Sequence, residues 1–211
     1  MTAFLFDGPA EAPVTILLAH GAGAPMDSAS MTAAAAALAA EGFRVARFEF
    51  AYMAARRSGH RKPPPRADTL TGEYRDAIMA LGAKGRLVIG GKSMGGRVAS
   101  LIADELHAAG TIAGLLCLGY PVHPPEKPAQ LRTAHLEGLK APALICQGTR
   151  DPFGTREEVA GYTLSPAIDV LWIKDGDHDL KPRKTISGFS AADHLGTMAA
   201  VARQWADGQV A

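Results

Sequence analysis

The sequence contains little cysteine and little excess charge. Of its 211 residues two are cysteines, Cys117 and Cys146, and both lie inside apolar runs, where free cysteine behaves as a small buried hydrophobe. We therefore predict that both are reduced core residues. The 22 basic and 21 acidic side chains leave a net charge of +1, so composition gives no reason to expect a nucleic acid or a membrane surface as a partner.

Long apolar runs and metal-ligand spacings are missing as well. No run approaches the roughly 18 residues of a membrane span, and the first residues show no basic segment followed by a long apolar one. We therefore expect a cytoplasmic protein, and its length fits a single domain over residues 1–211. The sequence has no Cys or His pairs at metal-ligand spacing, and the residues of Asp177-His178-Asp179 lie too close together to predict a metal site on their own. We therefore expect neither a metal nor another cofactor.

Short apolar runs alternate with helical patterns along the chain. The predicted strands are Val14 to Ala19, Val45 to Phe50, Leu87 to Ile89, Gly114 to Leu118, Ala143 to Cys146 and Val170 to Ile173, with residues 3 to 6 as a further edge strand. The predicted helices are Met31 to Ala40, Glu73 to Leu81, Met94 to Ala109 and Ala191 to Ala206. Capping boxes that begin at Thr155 and at Ser190 are expected to start the helices after the fifth and sixth strands. Continuous apolar runs indicate strands covered on both faces, so we predict an α/β fold with an open, mostly parallel sheet of about six or seven strands flanked by helices. Residues 53–68 and 121–142 are predicted to be irregular.

One five-residue motif, Gly91-Lys92-Ser93-Met94-Gly95, has the strand before it and the helical pattern after it that a serine nucleophile on a sharp turn requires. Small residues two before and two after the serine relieve crowding at such a turn. The motif therefore predicts Ser93 as a nucleophile.

A serine hydroxyl needs a base within hydrogen-bond reach and an acid that orients the base. Asp151 follows the fifth core strand and His178 follows the sixth, in the order serine, acid, histidine. Asp151 could instead be an ordinary turn residue before a proline. Asp175 and Asp177 are weaker candidates for the acid, because they lie too near His178 in sequence to approach its ring from behind.

The negative charge that develops on an attacked carbonyl needs preset N–H donors. The backbone N–H of Met94, directly after the nucleophile, is one candidate. The loop after the first core strand, His20-Gly21-Ala22-Gly23, supplies the other, with Ala22 preferred and Gly21 next. His20 is interpreted as a residue that braces this loop.

Basic residues near the motif allow two interpretations. Lys92 and Ser93 match the end of the phosphate-loop pattern G-x-x-x-x-G-K-[ST], but the first glycine of that pattern would fall at position 86, which is an arginine, Arg86. The sequence therefore does not predict an NTPase of that type. A basic stretch, formed by Arg56, Arg57, His60, Arg61, Lys62 and Arg66, follows the second core strand. It is either a solvated loop or, with Lys92 and with residues 181–184, a surface that favours a small anionic acyl substrate.

These motifs resemble the α/β-hydrolase superfamily over essentially the whole chain. More narrowly, Gly90 to Arg97, Gly148 to Gly154 and Asp175 to His178 are similar to a small bacterial dienelactone-hydrolase-like group related to the eukaryotic NSL-complex subunit three proteins. The resemblance implies a triad of Ser93, Asp151 and His178 and a compact fold without a large cap. Dienelactone hydrolases proper use cysteine as the nucleophile, so Ser93 argues against dienelactone as the substrate.

Two functions follow as hypotheses. The first is a serine hydrolase that cleaves carboxylic esters or thioesters through an acyl-enzyme. The second, suggested by the eukaryotic relatives, is a catalytically silent binding or scaffold protein that keeps the fold. Between the fourth and fifth core strands only about twenty residues intervene, too few for a helical lid, so we expect an open cleft.

Overall fold

A computed structural model describes residues 2–60 and 62–209, and seven strands form one sheet in the order β1-β3-β2-β4-β5-β6-β7. The strands are β1 (Phe4–Asp7), β2 (Val14–Ala19), β3 (Arg44–Phe48), β4 (Arg86–Lys92), β5 (Gly114–Leu118), β6 (Ala143–Gly148) and β7 (Ile168–Ile173). Strand β1 pairs antiparallel with β3, and every other pairing in the sheet is parallel. The predicted fold class and the predicted edge strand are confirmed.

Helices cover both faces of the sheet. They are α1 (Ala29–Ala40), α2 (Ala51–Arg57), α3 (Thr71–Leu81), α4 (Met94–Ser100), α5 (Ala103–Ala108), α6 (Arg156–Val159), α7 (Lys184–Ser187) and α8 (Ala191–Gln209). One apolar cluster packs α3 and α4 against the sheet, and a second packs α1 and α8 against the other face. Strands β2, β5 and β6 are buried along their whole length, which explains why their sequences are continuously apolar.

The cysteine and capping predictions are also confirmed. Cys117 and Cys146 are free and buried, one in each cluster, and burial raises the pKa of the Cys146 thiol to about 12. Thr155 and Glu158 form a reciprocal capping box at the start of α6. Ser190 exchanges the same pair of hydrogen bonds with Asp193 before α8.

Two secondary-structure predictions were wrong. The single helix predicted from Met94 to Ala109 is divided, because Leu101 and Ile102 form a turn in which the Ile102 N–H bonds to Ala99, three residues back rather than four. The stretch predicted to be irregular from Met53 instead begins inside α2. Residues 51–57 contain no glycine or proline and are rich in alanine and arginine, which favour helix, and the prolines at 63–65 come only after that helix has ended.

The parallel strands deliver their carboxyl ends to one edge of the sheet. The loops after β2, β4, β6 and β7 meet at this edge. In open parallel sheets, binding crevices lie outside the carboxyl ends of the strands. In the described chain, the connection from β5 to β6 contains only one short 3-10 turn, Ala134–Leu136, so no large cap stands over this edge. None of the helices within the described ranges is long and apolar enough to cross a membrane.

Candidate active site

Ser93 occupies a sharp turn between β4 and α4. Its backbone has φ +51° and ψ −115°, a conformation that a residue other than glycine adopts only at an energetic cost. The flanking Gly91 and Gly95 are required by close approach, since a Cβ at either position would collide with the carbonyl oxygen of Ala19 on β2. The turn therefore combines a strained backbone at Ser93 with a close approach of its two glycines to β2.

Side chains from three strand ends meet at this turn. The hydroxyl oxygen of Ser93 lies 2.8 Å from Nε2 of His178, and Nδ1 of the same ring lies 2.8 Å from Oδ2 of Asp151. A carboxylate only accepts, so Nδ1 carries the proton and Nε2 is free to accept the hydroxyl proton of Ser93. The structure thus brings the three predicted residues within the distances that proton transfer needs.

The carboxylate of Asp151 is held by more than the imidazole. Asp151 is fully buried at 0% exposure, the side-chain amide of Gln147 donates to it at 3.0 Å, and the backbone N–H of Phe153 donates at 2.9 Å. The ring centroid of Phe153 lies 4.2 Å from that of His178. Buried polar groups are tolerated where they are hydrogen-bonded, and these contacts hold the Asp151 side chain in one orientation. Sequence reasoning missed Gln147, although a lone amide closing the apolar run of β6 was the signal for it.

The loop after β2 lies against the nucleophile. A Cβ added at Gly21 would stand 3.7 Å from Cβ of Ser93. Behind the loop, the Tyr52 hydroxyl donates to the carbonyl of Ala22 at 3.0 Å. His20 is fully buried, its Nδ1 lies 2.7 Å from the Gly21 carbonyl oxygen and its Nε2 accepts the N–H of Phe50 at 3.2 Å.

Burial lowers the pKa of His20, which agrees with a neutral ring that donates from Nδ1 and accepts at Nε2. These bonds make His20 a brace for the loop, as interpreted from the sequence. Ala22, Met94 and Ser93 line one cavity. Met94 is the first residue of α4, where a backbone N–H has no partner within the helix. The two predicted oxyanion donors therefore belong to segments that border the same space beside Ser93.

An open cavity of about 680 Å³ lies beside Ser93. Much of its wall is apolar, from Pro64, Pro65, Leu101, Leu131 and Phe153 among others. Its charged residues are Arg66, Arg97, Arg132 and Asp68. Sequence reasoning missed Arg97 and Arg132, although Arg97 stands one helical turn after Ser93.

The predicted substrate-binding arginines lie elsewhere. Arg57 pairs with Glu49 at 2.6 Å and with Asp27 at 2.9 Å. The guanidinium of Arg56 lies over the Tyr52 ring and donates to the carbonyl of residue 62. Both line a separate depression and neither lines the Ser93 cavity, because α2 directs them to the far side of the loop after β2. Of the basic stretch only Arg66 reaches the cavity, residues 181–184 do not, and Arg61 lies outside the described residues.

Lys92 is also turned away from the cavity. Its Nζ donates to the backbone carbonyl of His178 at 2.5 Å and lies 3.4 Å from the carboxylate of Asp179. Its side chain is only 11% exposed. Lys92 therefore contacts the loop that carries His178 rather than a substrate, and the prediction of a substrate-binding role is corrected.

Within residues 2–60 and 62–209, His, Cys, Asp and Glu form no cluster of three or more that could hold a metal ion.

The chain matches a known protein family and is similar to several solved structures. Residues 12–207 match the model of a family described as an alpha/beta hydrolase domain. A dienelactone hydrolase from Anabaena variabilis ATCC 29413 superposes with a TM-score of 0.70 at 21% identity, covering 99% of this chain and 92% of that one. XC6422 from Xanthomonas campestris, described as an a/b serine hydrolase without lid, gives a TM-score of 0.66 at 21% identity, covering 96% and 88%. Est1E from Butyrivibrio proteoclasticus, solved with ferulic acid, gives 0.71 at 15% identity, covering 99% and 95%.

At 15–21% identity these solved structures share the fold of this chain. The narrower relationship to the NSL-complex subunit three proteins stays a prediction.

Proposed function

We propose, from the premise that this chain belongs to the alpha/beta hydrolase domain family, that it is a serine hydrolase that cleaves carboxylic esters or thioesters through an acyl-enzyme. The observation that carries the proposal is the unbroken hydrogen-bond chain from Ser93 through His178 to Asp151, with 2.8 Å at each link. A binding module has no need of such a chain beside an open cavity. The serine-hydrolase neighbour without a lid adds support at the level of the fold.

The proposed reaction runs in two halves. His178 accepts the hydroxyl proton at Nε2 as Ser93 Oγ attacks the carbonyl carbon, and the resulting oxyanion is held by the N–H groups of Met94 and Ala22. The imidazolium then gives its proton to the departing alcohol or thiol, which leaves an acyl-Ser93 ester. Water, deprotonated by the same ring, attacks this ester and releases the acid and the free serine.

Asp151 has a fixed part in both halves. Its carboxylate keeps the proton on Nδ1 and stabilises the imidazolium that forms twice in each cycle. Because Gln147 and the Phe153 N–H hold the carboxylate from other directions, it does not need to move as the charge on the ring changes.

The cavity also limits the substrate. With no large cap in the described chain and about 680 Å³ of open space, the site accepts short acyl compounds or an exposed ester on a larger molecule.

A fluorophosphonate probe tests the proposal directly, because it reacts with an activated serine. We expect labelling of the wild type at Ser93, none in Ser93→Ala and much less in His178→Ala. Steady-state kcat on p-nitrophenyl butyrate should fall on the order of 10⁴-fold or more in Ser93→Ala. Ser58→Ala, which removes an exposed hydroxyl that bonds only locally, is the matched control and should be labelled as the wild type is.

The opposite result has a definite meaning. Well-folded wild type that neither takes up the probe nor hydrolyses esters or thioesters would overturn the proposal and favour the binding or scaffold function.

A further inference from the structure

Three arginines line the cavity beside Ser93, and they differ in how their charge is met. Arg66 is 84% exposed and pairs with Asp68 at 2.8 Å. Arg97 and Arg132, in contrast, form no ion pair with any described residue, and no described residue accepts a hydrogen bond from either guanidinium. The cavity thus contains two cationic groups without a counter-charge from the described part of the protein.

Arg97 is held on the rigid element that starts at the nucleophile. Its backbone N–H donates to the carbonyl of Ser93 at 3.0 Å, so it stands one turn along α4, about 6 Å along the helix axis. Its side chain is half-buried, and Nε is buried with no hydrogen-bond partner among the described residues. A buried donor left unpaired is costly, which is a reason to look for a ligand that pairs with it.

Arg132 reaches the same cavity from a different segment, the connection between β5 and β6. Its N–H donates to the carbonyl of Val122 at 2.8 Å, and its carbonyl accepts from the Tyr120 hydroxyl at 3.1 Å. Tyr120 is fully buried, so the backbone at Arg132 is attached to the core although it belongs to the long connection between β5 and β6.

The two arginines are close enough to influence each other. Burial, and after it the charge of Arg97, lowers the pKa of Arg132, and the same two causes lower the pKa of the neighbouring His135. Like charges placed together repel. Two half-buried guanidinium groups line the cavity beside Ser93, so binding of a negatively charged ligand between them would relieve their mutual repulsion.

We propose that Arg97 and Arg132 form a binding site for a carboxylate on the substrate, several ångströms from the ester carbonyl that Ser93 attacks. The inference rests on the proposed function, since it takes Ser93 as the nucleophile. A guanidinium presents paired N–H donors that match the two oxygens of a carboxylate, which a single ammonium does not. The preferred substrates are then esters or thioesters whose molecules carry a free carboxylate a few carbon atoms away from the scissile bond.

This assignment differs from the expectation raised by the basic stretch. There the anion would meet Arg56 and Arg57, whose charges are turned away from the cavity and, for Arg57, already neutralised by Glu49 and Asp27. Charge already paired with carboxylates contributes little to attracting a further anion. Arg97 and Arg132 line the cavity and pair with no carboxylate of the described residues, so in this proposal they determine the preference.

Matched ester pairs test the site. The p-nitrophenyl half-ester of adipic acid carries a carboxylate on the acyl side, and the corresponding ester of adipamic acid replaces it with a neutral amide of the same shape. 4-Carboxyphenyl and 4-carbamoylphenyl butyrate make the same comparison on the alcohol side. In wild type we expect kcat/KM to favour the anionic member of at least one pair by about 10-fold or more, since hydrogen bonds to charged groups are worth that much.

Variants assign the preference to residues. Arg97→Gln and Arg132→Gln should each lower the anionic-to-neutral ratio of kcat/KM by about 10-fold, and Arg97→Lys should restore part of that ratio. Arg75→Gln is the control, because Arg75 pairs with Glu105 outside the cavity, and it should leave the ratio unchanged. A ratio that is unchanged in both glutamine variants, or that falls instead in Arg56→Gln/Arg57→Gln, would overturn the proposal.

A binding measurement separates this proposal from the proposed function. Calorimetric titration of Ser93→Ala with adipamate and with neutral adipamide needs no turnover, and only adipamate should bind, with binding lost on adding Arg97→Gln. Arginine-dependent binding of adipamate without any Ser93-dependent hydrolysis would support the carboxylate site and overturn the proposed hydrolase function. Ser93-dependent hydrolysis with equal rates and no adipamate binding would do the reverse.

Discussion

At Lys92, next to the nucleophile, a charged side chain is used inside the protein rather than on a ligand. Its ammonium group holds the backbone of His178 and faces Asp179. Burial lowers the pKa of Lys92, while the negative charge of Asp179 opposes that effect. The contact connects the end of β4 to the loop after β7, so it fixes the distance between the serine and the imidazole from beneath. We interpret Lys92 as a positioning residue.

Lys92→Met tests this interpretation. Without the ammonium the His178 loop loses its tether, and because small misplacements of a reacting group reduce the chemical step strongly, kcat on a neutral ester should fall about 10-fold to 100-fold with KM nearly unchanged. Lys181→Met is the matched control, since Lys181 also reaches Asp179, at 3.4 Å, but from the exposed surface. Equal kinetic losses in the two variants, or a change confined to KM, would contradict the positioning role.

Among the secondary-structure elements, the strands and the loops at their carboxyl ends were predictable, while side-chain placement across the cavity was not. Continuous apolar runs identified the buried strands, and the order of Ser93, Asp151 and His178 along them identified the loops that meet. No local pattern shows that the chain from β5 to β6 folds back over α4. That path depends on contacts distant in sequence, such as the His135 ring with the Ser100 hydroxyl at 2.8 Å. The position of Arg132 therefore emerges only with tertiary packing.

The loop that carries His178 is fixed at its start by one carboxylate. Asp175 accepts from the backbone N–H of Arg183 at 2.8 Å and from its guanidinium, and it pairs with Arg150 at 2.8 Å. Its own N–H donates to the Thr149 hydroxyl at 2.9 Å. Asp175 was the weaker candidate for the triad acid, and these contacts give it a role in shaping the loop.

Asp175→Asn should change stability in a pH-dependent way. Hydrogen bonds from Arg183 hold the pKa of Asp175 well below its usual range, so the stabilisation is fully present above the unfolded value of about 3.9 and is lost as pH falls toward the folded value. The variant should therefore melt a few degrees lower than wild type at pH 7, with the gap narrowing toward pH 3. Thermal unfolding across this range measures it. Asp169→Asn, at an exposed residue that pairs with no described cation, is the control, and a gap that widens in acid would refute the account.

At the scale of the whole molecule, two separate apolar layers cover the sheet. Polar groups buried beneath them need hydrogen-bond partners within the protein. Tyr74, on α3, reaches through one layer to the sheet and is fully buried. Its hydroxyl lies 2.6 Å from the Gly90 carbonyl and 2.9 Å from the Leu17 carbonyl, and it accepts the Gly90 N–H at 2.9 Å. A single phenol thus ties a covering helix to β2 and β4, the two strands that support the turn at Ser93.

Tyr74→Phe should destabilise the whole fold while leaving the chemistry of the site nearly intact. Removing the hydroxyl leaves buried backbone groups of Gly90 without their partner, which costs about 1–3 kcal/mol, and the loss should appear as a lower urea midpoint in one cooperative transition. Tyr162→Phe is the matched control, because the Tyr162 hydroxyl bonds to no described residue, and its midpoint should stay within about 0.5 kcal/mol of wild type. Under native conditions the kcat of Tyr74→Phe should stay close to wild type, since Ser93, His178 and Asp151 make none of the lost bonds. An unchanged midpoint would show that Tyr74 contributes through its ring alone, and a large loss of kcat without a loss of stability would place its effect at the turn instead.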